Sequence, residues 1–370
     1  MEDEIYNFIK VWILTNISMC YCFYIATRIP KGITRFISLI PIFYLFIILP
    51  LNLHSSHLCG ITTFFLVWLG NFKLLLFSVD LGPLSPTPST LFQFISVACL
   101  PIKIKQNPPQ KYPPNTNPPH QTQNPTKSEN PVVQTVTYVP KKSLMLAIKA
   151  LLFALVFRSF AYKQHLHPYV ILALHCCHMF LALEIVLALG ATPARAFFGF
   201  ELEPQFNKPY LSTSLQDFWS RRWNIMVTMI LRPIIYYPVR RISTPIIGPR
   251  CARNLAVMST FTISGLMHEV IYYYLTRVPP TWEVTWFFVL HGMSMAIEVE
   301  VKKAVNDRWR LHHLVSGPST LVFLAVTANW LFFPQLLRNG VYVKAASEYA
   351  IMLHFVKSHL PLHIIGGKAS

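Results

Sequence analysis

Long apolar stretches recur along the chain from its first tens of residues to its end. A helix of about 20 apolar residues is long enough to cross the hydrocarbon core of a bilayer, which is about 30 Å thick. We therefore predict an all-α, polytopic membrane protein with about nine membrane-spanning helices, each roughly 17 to 22 residues long. The predicted spans cover residues 11–27, 36–53, 58–77, 144–161, 169–190, 255–275, 282–301, 315–333 and 345–365.

Two further apolar stretches are too short or too interrupted to cross a membrane. Residues 90–102 form the first, which ends near Pro101, and residues 225–239 form the second, which contains Arg232 followed by Pro233. Proline ends or kinks a helix because it lacks a backbone N–H group and its ring collides with the preceding turn. Both stretches are predicted to be re-entrant or interfacial helices on the cytoplasmic side of the membrane.

The composition changes abruptly between the third and fourth predicted spans. Residues 103–140 are rich in proline, asparagine, glutamine, threonine and lysine. Such a segment has too few apolar side chains to bury a core, so we predict a disordered cytoplasmic linker, and a plain spacer is favoured over a ligand for SH3 or WW domains. The linker separates a first region of membrane helices, residues 1–102, from a second membrane region, residues 141–370, which includes a long cytoplasmic loop at 191–253.

Composition excludes a water-soluble globule. Hydrophobic residues make up 53% of the 370 residues, charged residues make up 13%, and the mean hydropathy is +0.41. Soluble domains usually carry about a quarter charged residues. The seven cysteines are an odd number and most lie within apolar stretches, so they form no disulfide framework.

The positive charge of the chain follows the predicted loops. Lys and Arg number 32 and Asp and Glu number 15, which gives a formal net charge of +17. In a membrane protein, basic residues collect in cytoplasmic loops and meet anionic lipid headgroups, so membrane lipids are a better partner for them than nucleic acid. A luminal N-terminus makes every cation-rich loop cytoplasmic, and we predict that topology. The cytoplasmic loops then hold Arg28, Lys31 and Arg35; Lys103 through Lys142; Arg195 through Arg253; and Lys302 through Arg310.

Ionisable side chains within membrane spans are costly to bury, so each of them is a candidate functional residue. His268 has the most suggestive surroundings, because helical spacing brings Ser264, Gly265 and Tyr272 to its face. That face has room for a ligand, and a neutral imidazole can take a proton from an alcohol. A histidine that packs in the core and bonds to a carbonyl group is an equally good interpretation. The remaining candidates are Glu269, predicted to be a structural partner for a cation or a hydroxyl group, and His175, His178, His291, Glu298, Lys73 and Lys149.

The long cytoplasmic loop contains a segment, residues 201–241, that is dense in aromatic residues and arginine. Ser214 is a suitable N-cap for a helix with Asp217 in its first turn. Arginine and aromatic side chains at a membrane surface serve as interfacial anchors, and arginine also binds phosphate groups. Both interpretations apply to Arg221, Arg222, Arg240, Arg241, Arg250 and Arg253.

Two motifs add a family resemblance to these observations. The first is NKPYLSTSLQDFWSRRWN at residues 207–224, and the second is SGLMHE at residues 264–269. In this order and spacing they resemble the plant wax synthase branch of the membrane-bound O-acyltransferases, which includes plant acyl-CoA:sterol acyltransferases. The resemblance extends over most of the chain and is weakest in the linker. It implies an all-helical membrane fold with a buried chamber that is reached from the cytoplasm and from the bilayer.

The resemblance also implies a reaction and a site. The reaction is transfer of a fatty acyl group from acyl-CoA, as co-substrate, to a lipid alcohol in the endoplasmic reticulum, without a metal or cofactor. His268 is expected to be the general base in a direct transfer without an acyl-enzyme. Asn224 is expected to hold the thioester carbonyl group or to position the acceptor. The further substrate-binding residues are expected to be Ser264 and Gly265 beside the base, and Trp219, Arg221, Arg222 and Trp223 at the cytoplasmic mouth.

The identity of the acceptor and two other protein classes stay open. A long-chain fatty alcohol, which gives a wax ester, is favoured over a sterol, and acceptors such as diacylglycerol rank lower. A di-iron desaturase or hydroxylase needs several clustered histidines, whereas this chain offers the pair His175 and His178 and scattered single histidines. A transporter agrees with the number of spans, but the chain lacks the repeated broken helices typical of that class.

Overall fold

The structure is a computed structural model that describes residues 2–102, 139–198, 203–305 and 311–359. Within these ranges every regular element is helical, which confirms the predicted all-α fold. The α-helices are α1 (Glu2–Tyr24), α2 (Ile33–Ile48), α3 (Ser56–Thr63), α4 (Asn71–Ser78), α5 (Leu91–Cys99), α6 (Val139–Ser159), α7 (Pro168–Phe198), α8 (Leu215–Asp217), α9 (Ile225–Leu231), α10 (Tyr237–Thr276), α11 (Glu283–Ala304), α12 (His313–Thr327), α13 (Pro334–Arg338) and α14 (Val341–His359). The π-helical segments of these ranges are Phe64–Gly70, Phe218–Arg222, Arg232–Tyr236 and Ala328–Phe332.

Eight helical segments of the described ranges are long and apolar enough to cross a membrane. Each overlaps one of the first eight predicted spans. The ninth predicted span, at 345–365, overlaps α14 and continues into residues outside the described ranges. The eight segments are Glu2–Arg28, Ile33–Asn52, Ser56–Ser78, Leu144–His165, Pro168–Thr192, Ile225–Thr276, Glu283–Ala304 and His313–Phe332.

The second short apolar stretch, predicted to be a separate helix at 225–239, instead continues into the span that follows it. α9, a π-helical segment and α10 form one helical run, Ile225–Thr276, of 52 residues. The wider π turn accommodates Pro233 without ending the helix. A straight helix of that length would measure about 78 Å, more than twice the thickness of a bilayer core. The backbone instead turns at Gly248, whose φ of 77° lies in the left-handed region that favours glycine.

The first short stretch folds, as predicted, into a helix that is too short to cross a membrane. α5 has 9 residues, and Thr90 Oγ1 caps it by accepting a hydrogen bond from Gln93 N. At its other end, the carbonyl groups of Val97 and Leu100 each accept a hydrogen bond of 2.6 Å from Nζ of the fully buried Lys73. Lys73 therefore acts as a C-terminal cap for α5, which explains a cation in this position.

Two carboxylates hold the start of α3. Glu4 Oε1 accepts hydrogen bonds from His54 N at 2.7 Å and Ser55 N at 2.6 Å. Glu348 Oε1 accepts one from Ser56 N at 2.6 Å. Negative charge at a helix N-terminus is favourable because the first N–H groups have no partner within the helix. Since Glu4 belongs to α1 and Glu348 to α14, helices from both ends of the chain fix α3.

The predicted linker leads into a helical hairpin. Its residues 103–138 lie outside the described ranges, and Val139 and Pro140 already belong to α6. α6 packs along α7, where Lys149 Nζ and Glu184 Oε1 form an ion pair of 2.8 Å. Each charge compensates the other, which lowers the cost of placing both within membrane spans.

Candidate active site

A cavity of about 1070 Å³ lies among α3, α7, α9, α10, α11, α12 and the segments that join them. Aromatic and aliphatic side chains form most of its wall. Polar residues form a minority of the wall, and they include Asn224, Thr228, Ser264 and His268. A large apolar cavity with a small number of polar groups suits a long lipid that reacts at one polar position.

Each π-helical segment of the described ranges contributes to this wall. A π turn contains one more residue than an α turn, so it shifts the side chains that follow away from regular helical spacing. Regular periodicity in the sequence therefore does not indicate which of these side chains face the cavity. The contributed residues include Trp68, Trp219, Tyr236 and Phe332.

His268 lies on the cavity wall with one of its two ring nitrogens engaged. Its Nδ1 is 2.7 Å from the carbonyl oxygen of Ser264, one turn earlier in α10. A carbonyl oxygen can only accept, so Nδ1 carries the proton and donates it, and Nε2 of the neutral ring keeps a lone pair. Among the described residues, none forms a hydrogen bond with Nε2. His268 is therefore arranged to accept a proton from a molecule in the cavity.

Asn224 lines the same cavity immediately before α9. Its backbone is left-handed, with φ 40° and ψ 63°, a conformation that asparagine adopts more readily than most residues. Its Oδ1 accepts a hydrogen bond from Val227 N at 3.5 Å and so caps α9. No residue in the described part of the chain accepts a hydrogen bond from Nδ2. The amide group can therefore donate to a ligand while its oxygen serves as the cap.

Three arginines of the helical run Ile225–Thr276 line the cavity. Arg232, Arg240 and Arg253, which we call the mouth arginines, all line it. Arg253 is held in place by an ion pair with Glu300 of α11. Arg253 precedes His268 on α10 by about 22 Å along the helix axis, at about 1.5 Å per residue. Two of the mouth arginines belong to the set considered from the sequence, whereas the sequence indicates Arg232 only as an interruption of an apolar stretch.

The two arginines of the first motif, Arg221 and Arg222, do not line the cavity. Arg222 Nε instead donates a hydrogen bond to Asp217 Oδ2 at 2.6 Å. Asp217 N in turn donates to Ser214 Oγ at 3.1 Å, which confirms Ser214 as the N-cap of α8. Arg222 thus braces the backbone of the motif, because its guanidinium group joins the last residue of the π segment to the last residue of α8.

The structure brings three other predicted site residues, Trp219, Trp223 and Ser264, to the cavity wall, but not Gly265. Gly265 faces α11, where an added β-carbon would lie 2.9 Å from Thr285 Cα. The missing side chain therefore makes room for the backbone of α11 rather than for a ligand.

Eight ionisable residues within predicted spans are candidates from the sequence. Of these, all of which the structure describes, His268 is the one that lines the main cavity. Glu269 points towards α11, where its Oε1 accepts hydrogen bonds from Thr285 N at 3.2 Å and Thr285 Oγ1 at 3.3 Å, which confirms its prediction as a partner for a hydroxyl group. His291 is fully buried, with Nε2 at 3.1 Å from Thr327 Oγ1. Within the described ranges, no group of three or more His, Cys, Asp or Glu side chains could hold a metal ion.

A second, smaller cavity of about 300 Å³ lies between α6 and α7. Its wall includes the ion pair of Lys149 and Glu184 among apolar side chains. Phe180 and Tyr210 belong to the walls of both cavities. The two cavities therefore adjoin each other at these two side chains.

Comparison with known proteins identifies the family. Residues 202–290 match the family model described as "Membrane bound O-acyl transferase family". The chain is also 44% identical to "Probable long-chain-alcohol O-fatty-acyltransferase 1" of Arabidopsis thaliana, over 96% of this chain and 98% of that protein. The chain belongs to this family.

Two further relatives of this membrane bound O-acyl transferase differ in the acceptor that their names state. "Acyl-CoA--sterol O-acyltransferase 1" of Arabidopsis thaliana is 44% identical over 93% of this chain and 94% of its own length. "Long-chain-alcohol O-fatty-acyltransferase" of Simmondsia chinensis is 44% identical over 97% of this chain and 98% of its own length. Equal identity to both means that overall similarity does not select one acceptor.

The family-model range holds the two candidate reacting residues of this membrane bound O-acyl transferase but only part of its cavity wall. Residues 202–290 include Asn224 and His268, whereas Trp68 and Phe332 join the wall from outside that range. With eight span-length helices in the described ranges and membership of this family, the protein is an integral membrane protein.

Proposed function

We propose that this protein is an acyl-CoA-dependent O-acyltransferase that esterifies a long-chain fatty alcohol and so forms a wax ester. One observation carries the proposal: an apolar cavity holds an imidazole nitrogen free to accept a proton, on His268, and an amide free to donate hydrogen bonds, on Asn224. Two relatives are named as a long-chain-alcohol O-fatty-acyltransferase, one of them as a probable one, and these names support the choice of acceptor.

The proposed reaction is a direct transfer. His268 Nε2 takes the proton of the acceptor hydroxyl group while the hydroxyl oxygen attacks the thioester carbonyl carbon. Asn224 Nδ2 donates a hydrogen bond to the carbonyl oxygen, whose negative charge increases in the transition state. The carbon–sulfur bond then breaks, and His268 returns the proton to the sulfur of the departing CoA. The scheme uses no acyl-enzyme, metal or cofactor.

The mouth arginines give acyl-CoA an orientation in this proposal. Guanidinium groups bind phosphate oxygens through strong, paired hydrogen bonds, so the phosphates of CoA belong at the mouth. The pantetheine arm then follows α10 past the hydroxyl groups of Thr260 and Ser264, which suit its amide groups. This orientation brings the thioester to His268 and the acyl chain into the apolar part of the cavity.

The lipid alcohol needs a route that avoids water, and the gap between α6 and α7 offers one. The second cavity shares Phe180 and Tyr210 with the main one, and its ion pair could bind a hydroxyl group on the way in. Because acyl-CoA and lipid alcohols meet at the endoplasmic reticulum, we propose that membrane as the location of the protein.

A sterol is the second candidate acceptor. A relative named for that activity is 44% identical over 93% of this chain. The same base and amide serve a sterol hydroxyl group equally well, so the choice depends on the shape of the cavity rather than on the chemistry.

Product analysis tests the proposal. The chain is expressed in yeast that lacks its own sterol and triacylglycerol acyltransferases, a long-chain alcohol is supplied, and the neutral lipids are separated. We expect wax esters that disappear when His268 is replaced by alanine. Steryl esters in their place would change the acceptor and keep the mechanism. Well-inserted protein that makes no ester of any kind would contradict the proposed function.

The mouth arginines give a paired prediction. Arg240→Ala removes a guanidinium group from the cavity wall, whereas Arg241→Ala removes its exposed neighbour, which does not line the cavity. We expect Arg240→Ala to raise the KM for acyl-CoA about tenfold with little change in kcat, because one charged hydrogen-bonding contact is lost. Steady-state kinetics in detergent micelles measures both variants. An equal rise for Arg241→Ala would mean that diffuse charge, and not a phosphate site, attracts acyl-CoA.

A further inference from the structure

The proposed base has no acidic partner. A general base becomes a cation when it takes a proton, and an unpaired cation in an apolar, water-poor site is costly. In serine hydrolases a buried carboxylate offsets that cost. Here the one hydrogen-bond partner of His268 in the described part of the chain is the carbonyl group of Ser264, and the neighbouring carboxylate of Glu269 is turned away towards Thr285.

Aromatic rings surround the imidazole instead. The centroid of the Phe288 ring lies 4.4 Å from that of His268, with 35° between the two planes, so one face of the imidazole is covered. Trp68 lies 5.2 Å away at 76° and Phe332 lies 5.7 Å away at 63°, so these two rings make T-shaped contacts and Phe288 is the ring of the three that lies nearest to parallel with the imidazole. The faces of aromatic rings carry partial negative charge and attract cations within about 6 Å of the ring centroid.

Packing and one hydrogen bond hold these rings in place. Gly265 lets α11, the helix that carries Phe288, approach α10 so closely that an added β-carbon would lie 2.9 Å from Thr285 Cα. Trp68 and Phe288 are each 3% exposed. Tyr272, one turn after His268, donates a hydrogen bond of 2.7 Å from its hydroxyl group to the carbonyl oxygen of Phe332. The glycine and the tyrosine near His268 thus help to fix two of its three aromatic neighbours.

We propose that Phe288, Trp68 and Phe332 form an aromatic cage that stabilises the imidazolium form of His268 during acyl transfer, in the place that a carboxylate takes in other histidine bases. The inference rests on the proposed function, because it assumes that His268 takes the proton of the acceptor. The cage residues are positioning residues, since they act through His268 and need not touch the reacting atoms. The proton that His268 gains from the alcohol leaves with the sulfur of CoA, so the cation exists only between these two transfers.

The test changes the charge distribution of the Phe288 ring while keeping its shape. Phe288 is replaced by fluorophenylalanine and by trifluorophenylalanine through suppression of an amber codon, since fluorine withdraws the negative charge from the ring face. We expect kcat to fall stepwise with fluorination, by about tenfold in all, with the KM for acyl-CoA unchanged. Phe288→Leu, which has no ring, should lose at least as much, although part of its loss can come from altered packing.

Phe323 provides a matched control. Its ring centroid lies 5.3 Å from that of His291, a buried histidine that does not line the cavity, and the same fluorinated residues at 323 should leave kcat unchanged. If fluorination at 288 leaves kcat unchanged in protein that makes ester, the cage is wrong and the proposed function still stands. An equal fall in kcat with fluorination at 288 and at 323 also contradicts the cage, because a general packing effect would then explain both. If the unsubstituted protein makes no ester, the proposed function fails and the cage fails with it.

Discussion

His268→Ala is expected to lower kcat about a thousandfold while acyl-CoA still binds. The loss follows from removal of the one side chain of the described cavity wall that can take a proton from a neutral alcohol near pH 7. His268→Gln should lose as much, since an amide can keep a hydrogen bond to the carbonyl group of Ser264 but cannot act as a base. Ester formation per amount of monodisperse purified protein measures the effect, and competition with a labelled acyl-CoA measures binding.

His291→Gln is the comparison for this variant. His291 is also an intramembrane histidine, but it is fully buried and does not line the cavity. Its replacement should lower the yield of folded protein and leave the activity of the folded fraction close to normal. General-base catalysis contributes about a hundredfold or more to the rate. If His268→Gln kept more than about a tenth of the activity, the loss would be too small for a general base, and His268 would not be the base.

Asn224→Asp is the second change with a large expected effect. Aspartate can also cap α9, because its carboxylate can accept the hydrogen bond from Val227 N, and it tolerates a left-handed backbone. It has no N–H group, however, and its negative charge would oppose the charge that develops on the thioester oxygen. We expect kcat to fall by about two to three orders of magnitude with little loss of thermal stability.

Asn224→Ala separates the two functions of this side chain. Alanine removes both the amide donor and the cap, so stability should fall by about 1 kcal/mol in addition to the loss of activity. Thermal unfolding followed in detergent, together with kcat, distinguishes the two variants. An Asn224→Asp protein with nearly full activity would show that Asn224 is only a cap and that the oxyanion is stabilised by another group.

Local features of the fold are accurately predicted from the sequence. Apolar length places eight spans, because the cost of exposing apolar surface or burying charge depends mainly on the residues of each segment itself. Ser214 is recognisable as a cap for the same reason, since its partner, Asp217 N, is three residues away. The helical run between residues 225 and 276 is harder to predict from the sequence, because a π turn accommodates Pro233 and the chain changes direction only at Gly248.

The candidate site is only partly predictable, because several of its residues depend on what lies opposite them. Gly265 has the spacing of a residue that faces a ligand, yet it faces the backbone of α11. Arg222 has the charge of a phosphate-binding residue, yet Asp217 engages it. Arg232 lies in an apolar stretch, and nothing in its neighbourhood in the sequence indicates the mouth of a cavity.

By itself the sequence determined that this is a helical membrane protein of the O-acyl transferase family and that Asn224 and His268 are its candidate reacting residues. These conclusions rest on hydrophobic length and on short motifs, which are complete within one segment of chain. Only the tertiary structure decided which arginines line the cavity, which nitrogen of His268 is free, and which rings surround it. Trp68, Phe288 and Phe332 come from three separate segments, and π turns shift two of these segments out of regular spacing, so their meeting at one imidazole is a property of packing.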